Sequence, residues 1–312
     1  MQNYLFFTAG LVLLFFGGES TLRGALHISK KLNLSKILVS AVIIGFGTSL
    51  PELTVSVQSV LEGKTDIALG NVIGSNIVNL TLIFGVSIMI SPLLKLPDAK
   101  RDILFMLIIT LCFILLKIIN FLNFFTGIGF LLILAIYIYV SYQLDQDKKE
   151  TVDHIEEDHS IKNPYPIYIS LPICALGIVL LVLGGSLLVE SAVAIAREFN
   201  ISEAVIGLTI IAIGTGLPEL ATCVVAAMRK HNDVIVGNIV GSNIFNILGI
   251  LGVTLIVDQI PVTDEIMNYG VWEMLFITII FTLLFFLSKQ ITKFQGFIML
   301  LFFIIYNQLL FL

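Results

Sequence analysis

Displaced by 167 residues, the chain lies on itself. ILVSAVIIGFGTSLPEL at 37–53 falls on AVIGLTIIAIGTGLPEL at 204–220, and GNVIGSNIVN at 70–79 falls on GNIVGSNIFN at 237–246. Gly17 and Gly18 fall on Gly184 and Gly185, and Asn33 and Ser35 on Asn200 and Ser202. The offset holds without a gap from Gly10 to Val86, so the chain is two homologous halves and its fold must build one unit twice.

That unit belongs in a membrane. Of 312 residues, 57% are hydrophobic and 12% charged, whereas a soluble domain is about 45–50% apolar and about 25% charged. A soluble core of this size could not hide so much apolar surface. This excludes a soluble enzyme, a nucleic-acid binder and a disordered chain. Apolar runs of spanning length fall at 4–27, 37–61, 67–90, 103–119, 121–142, 167–196, 204–228, 234–257, 269–288 and 294–311. The expected fold class is all-α, a polytopic membrane protein with ten transmembrane helices as two inverted five-helix repeats. The one long polar stretch is QLDQDKKETVDHIEEDHSIKNPYP. The expected organisation is therefore a first repeat over 1–142, an acidic cytoplasmic linker over 143–166 and a second repeat over 167–312. The first apolar run has no basic segment before it and closes on Glu19 and Arg23, so it reads as a span, not a cleaved signal. Cys112, Cys174 and Cys223 lie in apolar stretches with no disulfide or zinc spacing.

Lys and Arg set the orientation. With the N-terminus outside, the inward connections hold Lys30, Lys31, Lys36, Lys95, Lys100, Arg101, Lys148, Lys149, Lys162, Arg229, Lys230, Lys289 and Lys293. The outward ones hold only Lys64, Lys117 and Arg197. Both termini are expected outside a cell (plasma) membrane, with the linker in the cytoplasm. Each half has an odd number of helices, so the second half enters from the opposite side. Secondary transporters are commonly built this way, with their ion site at the midplane where paired helices are interrupted.

The interruptions are visible. In GTSLPE, Gly47 to Glu52, Pro51 has no amide hydrogen and its ring crowds the carbonyl of Gly47. The helix should break there, freeing carbonyl oxygens beside the hydroxyls of Thr48 and Ser49 and the carboxylate of Glu52. Gly214, Thr215, Gly216, Pro218 and Glu219 repeat the pattern. A charged side chain at the bilayer centre costs at least about 2.5–3.5 kcal/mol on insertion scales. No Lys or Arg lies at matching depth to offset Glu52 and Glu219, which points to a bound cation. The second motif, GNxxGSNxxN, sets Ser75 and Asn79 on one helix face, and Ser242 and Asn246 on its counterpart. For Asn71, Asn76, Asn238 and Asn243, hydrogen bonds that only hold the bundle together are an equal reading. Hard oxygen ligands suit calcium, which takes six to eight oxygens at about 2.3–2.6 Å. No Cys or His lies at that depth, which disfavours zinc, copper and nickel. His154 and His159 read as part of a solvated linker. Glu19 and Arg23, four apart, can pair; they and Glu190 read as structural or gating elements.

Together, GTSLPE with its counterpart GTGLPE, and GNxxGSNxxN present twice, resemble the sodium/calcium exchanger family of the cation/calcium antiporter superfamily, of prokaryotic type, over nearly the whole chain. The resemblance implies a transporter and not an enzyme, with no cofactor, that exports Ca²⁺ in exchange for Na⁺ by alternating access. It implies a calcium site of Glu52 and Glu219 with Thr48 and Thr215, the threonines through their carbonyls. Sodium would share the carboxylates and use Ser49, Ser75, Ser242 and the carbonyls of Gly45 and Ala212, with Asn79 and Asn246 completing the ring. The expected partners are Ca²⁺ and Na⁺ as substrates and the lipid bilayer, with no nucleic acid. Two positions depart from the family pattern. Gly216 stands opposite Ser49, removing one hydroxyl, and Asn246 stands where potassium-dependent relatives carry an aspartate. The alternative reading is a Ca²⁺, or other divalent cation, antiporter coupled to H⁺. An intramembrane hydrolase built on the carboxylate pair lacks any supporting GxGD, HExxH or Ser/His set.

Overall fold

The computed structural model describes residues 2–94, 96, 98–151, 164–199, 212–258 and 270–310. Residues 204–211, the start of the seventh expected span, lie outside these, as do Lys95, Asn200, Ser202 and the part of the linker that holds His154, His159 and Lys162. The described residues are almost entirely helical. In chain order the helices are α1 (Gln2–Leu32), α2 (Lys36–Thr48), α3 (Leu50–Leu61), α4 (Thr65–Ile90), α5 (Ala99–Ile118) and α6 (Phe124–Thr151). The second half holds α7 (Ile167–Glu198), α8 (Ala212–Gly214), α9 (Leu217–Met228), α10 (Asn232–Val257), α11 (Trp272–Leu287) and α12 (Lys293–Leu310).

Five helices, α1, α4, α6, α7 and α10, are each long and apolar enough to cross a membrane, and α2 with α3 makes a sixth span bent by 45°. The pair α8 and α9, with α5, α11 and α12, completes the ten. α5 opens at Ala99, earlier than the apolar run suggests, and takes in Asp102, which is buried and paired with Arg101 at 2.8 Å. α6 runs on to Thr151, because QLDQDKKET lacks glycine and proline and so nothing in it stops a helix.

α4 and α10 form the centre of the bundle: 61% and 83% of their apolar windows are buried, against 28–33% for α1, α6 and α7. Lipid removes the hydrophobic drive between helices, so close backbone packing has to hold them. α1 and α7 meet along glycines at seven-residue spacing. A Cβ on Gly10, Gly17 or Gly24 would sit 2.6–2.9 Å from Leu188, Leu181 or Cys174. On the inner side α10 presses on α2 so closely that a Cβ on Gly45 would lie 2.8 Å from the amide of Ser242. A two-residue antiparallel bridge, Leu93 to Ile291 and Leu94 to Gln290, ties the connection before α5 to the one before α12.

Candidate ion-binding site

The site forms where two helices break at the same place in the repeat. α2 ends at Thr48, Ser49 takes φ −84° and ψ 11°, and α3 starts at Leu50 with Pro51 in its first turn. In the second half Gly216 takes φ −82° and ψ 2°, and α9 starts at Leu217 with Pro218 in its first turn. Proline suits a helix start because that turn has no partner for its amide. Glu52 and Glu219 therefore stand in the first turns of α3 and α9, where the helix dipole favours negative charge. The two half-helices come from opposite repeats, so their N-termini converge.

Three further deviations frame this centre. α2 winds as a π-helix over Ser40–Gly45, and α4 and α10 do so over Asn79–Ile83 and Asn246–Ile250. Such widened turns interrupt the regular hydrogen-bond ladder and recur at functional sites. Asn79 and Asn246 each open one. The sequence signals the helix breaks through proline but carries no residue signature for these wider turns.

Glu52 and Glu219 are both 1% exposed, and each has one carboxylate oxygen, Oε2, with no hydrogen-bond partner. The fold brings them together across the repeats, since Ser49, three residues before Glu52, touches Glu219. Among the described residues no third acid, histidine or cysteine joins them in a cluster. The neighbours are neutral oxygens and amides. Ser49 Oγ donates to Glu219 Oε1 across the repeats at 2.9 Å, and Thr48 Oγ donates to the carbonyl of Ile44 in its own helix at 3.0 Å. Thr215 stands at the matching break of the second half, one residue before Gly216. Ser242 Oγ donates to the Gly45 carbonyl at 3.1 Å, so these two candidate ligands touch. Asn79 Nδ2 donates to Asn243 Oδ1 at 2.9 Å, which leaves the Asn79 carboxamide oxygen turned the other way. Asn246 is fully buried and neither of its amide atoms has a partner. Ser75 is half-buried on α4, one turn before Asn79. Ala212 opens α8.

A buried polar atom without a partner costs about 1–3 kcal/mol, more for a charged one. Such atoms remain on both carboxylates, and on the oxygen and the nitrogen of the Asn246 amide. A cation of charge two offsets both carboxylates and gives those oxygens a partner. Sequence reasoning left Asn243 undecided, and the structure gives it the task of orienting Asn79. It missed Cys223, whose Sγ accepts from Asn238 Nδ2 at 3.2 Å, and Arg229, whose guanidinium reaches Glu19. The recurrence of Ser56 as Cys223 in the repeat was the available signal for the first. For the second none existed, because Glu19 and Arg229 are 210 residues apart.

Ten spans in two inverted halves, closing on paired carboxylates in a ring of oxygens, define a secondary cation antiporter. The chain belongs to the sodium/calcium exchanger protein family, whose sequence profile matches residues 3–143 and 169–312. It is 34% identical to CaxA of Alkalimonas amylolytica, a protein named as an antiporter, over 98% of each chain. It is 27% identical to the sodium/calcium exchanger MaX1 of Methanosarcina acetivorans, over 99% of this chain and 98% of that one. Among solved structures, the sodium-calcium exchanger NCX_Mj, soaked with Na⁺ and Sr²⁺, superposes with a TM-score of 0.83 at 29% identity, covering 98% and 97% of the two chains. The chain is accordingly a multi-pass membrane protein of a transporter family, and cation/Ca²⁺ antiport is its activity.

Proposed function

We infer that the chain exports Ca²⁺ in exchange for inward Na⁺ by alternating access. The observation that carries this reading is the pair of buried carboxylates, Glu52 and Glu219, with unpaired oxygens and only neutral oxygen and amide neighbours. In this reading Ca²⁺ is held by Glu52, Glu219, Thr48 and Thr215. Na⁺ takes the same carboxylates together with Ser49, Ser75, Ser242 and the carbonyls of Gly45 and Ala212, and Asn79 and Asn246 close the ring. Because both ions need one set of carboxylates, they cannot cross together. An empty site leaves two like charges facing each other in a low-dielectric interior, so the bundle cannot occlude it cheaply and the return leg requires ions. That requirement makes the cycle an exchange and not a leak. Both termini lie outside the plasma membrane, 143–166 lies in the cytoplasm, and the chain divides into repeats at 1–142 and 167–312.

Radioactive Ca²⁺ uptake into proteoliposomes under an imposed Na⁺, K⁺ or pH gradient tests the coupling. Uptake driven by an outward Na⁺ gradient is expected, with no drive from K⁺ because Asn246 is neutral. Uptake that follows the pH gradient and ignores Na⁺ would overturn sodium coupling in favour of a proton-coupled divalent exchanger.

A further inference from the structure

One helical turn beyond each glutamate stands a small acceptor outside the ligand set, Ser56 after Glu52 and Cys223 after Glu219. Each receives an asparagine amide from the next helix. Asn71 Nδ2 donates to Ser56 Oγ at 2.9 Å, and Asn238 Nδ2 donates to Cys223 Sγ at 3.2 Å. The two pairs are repeat equivalents, but they do different things. Asn71 also donates to the backbone oxygen of Glu52 at 3.1 Å, so both of these bonds go to α3. Asn238 spans two helices: its Nδ2 goes to α9, and its Oδ1 lies 3.4 Å from the hydroxyl of Thr48 on α2.

Asn238 and Ser242 are four apart and face α2 together. Ser242 holds the carbonyl of Gly45 and Asn238 meets Thr48 one turn on. α10 therefore grips two successive turns of α2, and through Cys223 it fixes them against the helix that carries Glu219. The orientation of the carboxamide is decided by its partners. The structure turns the NH₂ of Asn238 to the sulfur and its oxygen to the Thr48 hydroxyl, whose hydrogen is shared with the carbonyl of Ile44 at 3.0 Å. Asn238 and Cys223 are both fully buried, so water does not supply a substitute partner.

We propose that Asn238, oriented by Cys223, is a positioning residue that fixes Thr48 on one broken helix relative to Glu219 on the other. This rests on the assignment of those two residues to the Ca²⁺ site. Ca²⁺ gathers six to eight oxygens at about 2.3–2.6 Å, so it needs ligands from both broken helices at once. Loosening the tie between them lowers affinity without removing any ligand. Cys223→Ala deletes the acceptor, Cys223→Ser replaces it with a hydroxyl that accepts equally well, and Asn238→Leu removes both ends of the bridge at similar size. Equilibrium binding of Ca²⁺ to the purified full chain is the readout, with maximal transport rate and thermal midpoint measured on the same preparations. Binding does not depend on which gradient drives transport, so sodium coupling can fail while this proposal stands.

Cys223→Ala and Asn238→Leu are expected to raise the Ca²⁺ dissociation constant about three- to tenfold, the range for one ordinary buried hydrogen bond. Cys223→Ser should restore it to near wild type, which a purely space-filling role for the sulfur would not predict. An unchanged dissociation constant in both Cys223→Ala and Asn238→Leu would overturn the proposal. So would equal impairment of Cys223→Ser and Cys223→Ala, which would assign the effect to packing.

Discussion

Replacing Arg229 with glutamine should change which side of the membrane the site faces at rest. Arg229 caps the end of α9 and reaches Glu19 on α1 with two prongs, Nη2 to Oε1 at 3.0 Å and Nε to Oε2 at 3.2 Å. Beside it α1 lies against α9, since a Cβ on Gly18 would be 3.0 Å from Val225 and 3.2 Å from the carbonyl of Ala221. The repeat equivalents of Glu19 and Arg229 are Ser186 and Glu62, which cannot form such a pair, and Glu62 is held by Lys64 at 2.8 Å instead. Closure of α1 over α9, on the cytoplasmic side in the proposed orientation, thus has a tie that the mirror-image closure of α7 over α3 lacks. Exposed ion pairs are worth about 0.2–1 kcal/mol. The Glu19 side chain is only 13% exposed and the contact is bidentate, but Arg229 is 53% exposed, which places the pair near the top of that range and not above it. About 1 kcal/mol is a factor of about five in the ratio of the two states. Arg229→Gln leaves Glu19 paired with Arg23 at 2.8 Å, so no charge is stranded and folding should survive. Half-saturating Ca²⁺ measured from the outside should rise and that from the cytoplasmic side should fall, each by up to about fivefold. Right-side-out and inside-out vesicles of the same variant give the two values. Constants that stay fixed, or that move in the same direction on both sides, would refute the reasoning.

Glu52→Gln and Glu219→Gln should each abolish Ca²⁺ transport while the protein remains folded, and wild-type flux in either would remove the carboxylates from the site. Gly216→Ser should fit without strain, because a Cβ there meets nothing nearer than 3.7 Å and the backbone angles match those of Ser49. The added hydroxyl can replace a water held at a cost of about 0–2 kcal/mol, so half-saturating Na⁺ should fall with little change for Ca²⁺; identical Na⁺ dependence would show that the position is silent. Cysteines at Gln2 and Gln308 should react with an impermeant thiol reagent added to intact cells, and one placed within 145–160 should not; the opposite pattern would reverse the orientation.

Much of this was legible in the sequence because the decisive signals are local. Proline after a glycine-hydroxyl run breaks a helix wherever it stands, so the breaks at Ser49 and Gly216 could be placed before any coordinates. A carboxylate in a run of apolar residues is expensive in any fold, so Glu52 and Glu219 were marked as well. Recurrence at a fixed offset then paired the two halves. The remaining features depend on how the halves meet. That Ser49 serves the glutamate of the other repeat, and not its own, follows from the convergence of α3 and α9. That Asn243 orients Asn79 follows from the packing of α4 on α10. The π-helical turns have no composition of their own: NLTLI and NILGI read as ordinary apolar helix.

An inverted repeat of two identical halves would have an inward-open state and an outward-open state related by symmetry and therefore equal in energy. Any preference between them has to come from positions where the halves differ. The ligand positions barely differ: Thr48 and Thr215, Glu52 and Glu219, Ser75 and Ser242, and Asn79 and Asn246 are the same residues. Gly216 against Ser49 drops one ligand hydroxyl, and the other differences lie around the ligands. Glu19 and Arg229 replace a serine and an acid, Cys223 replaces a hydroxyl, and Gly216 leaves Glu52 without the donor that Ser49 gives Glu219. Each is worth no more than a hydrogen bond or an ion pair, a few kcal/mol at most. That scale suits a transporter. A bias much larger would hold the bundle in one state and stop the cycle, whereas a bias of about 1 kcal/mol sets a resting side that ion binding can still reverse.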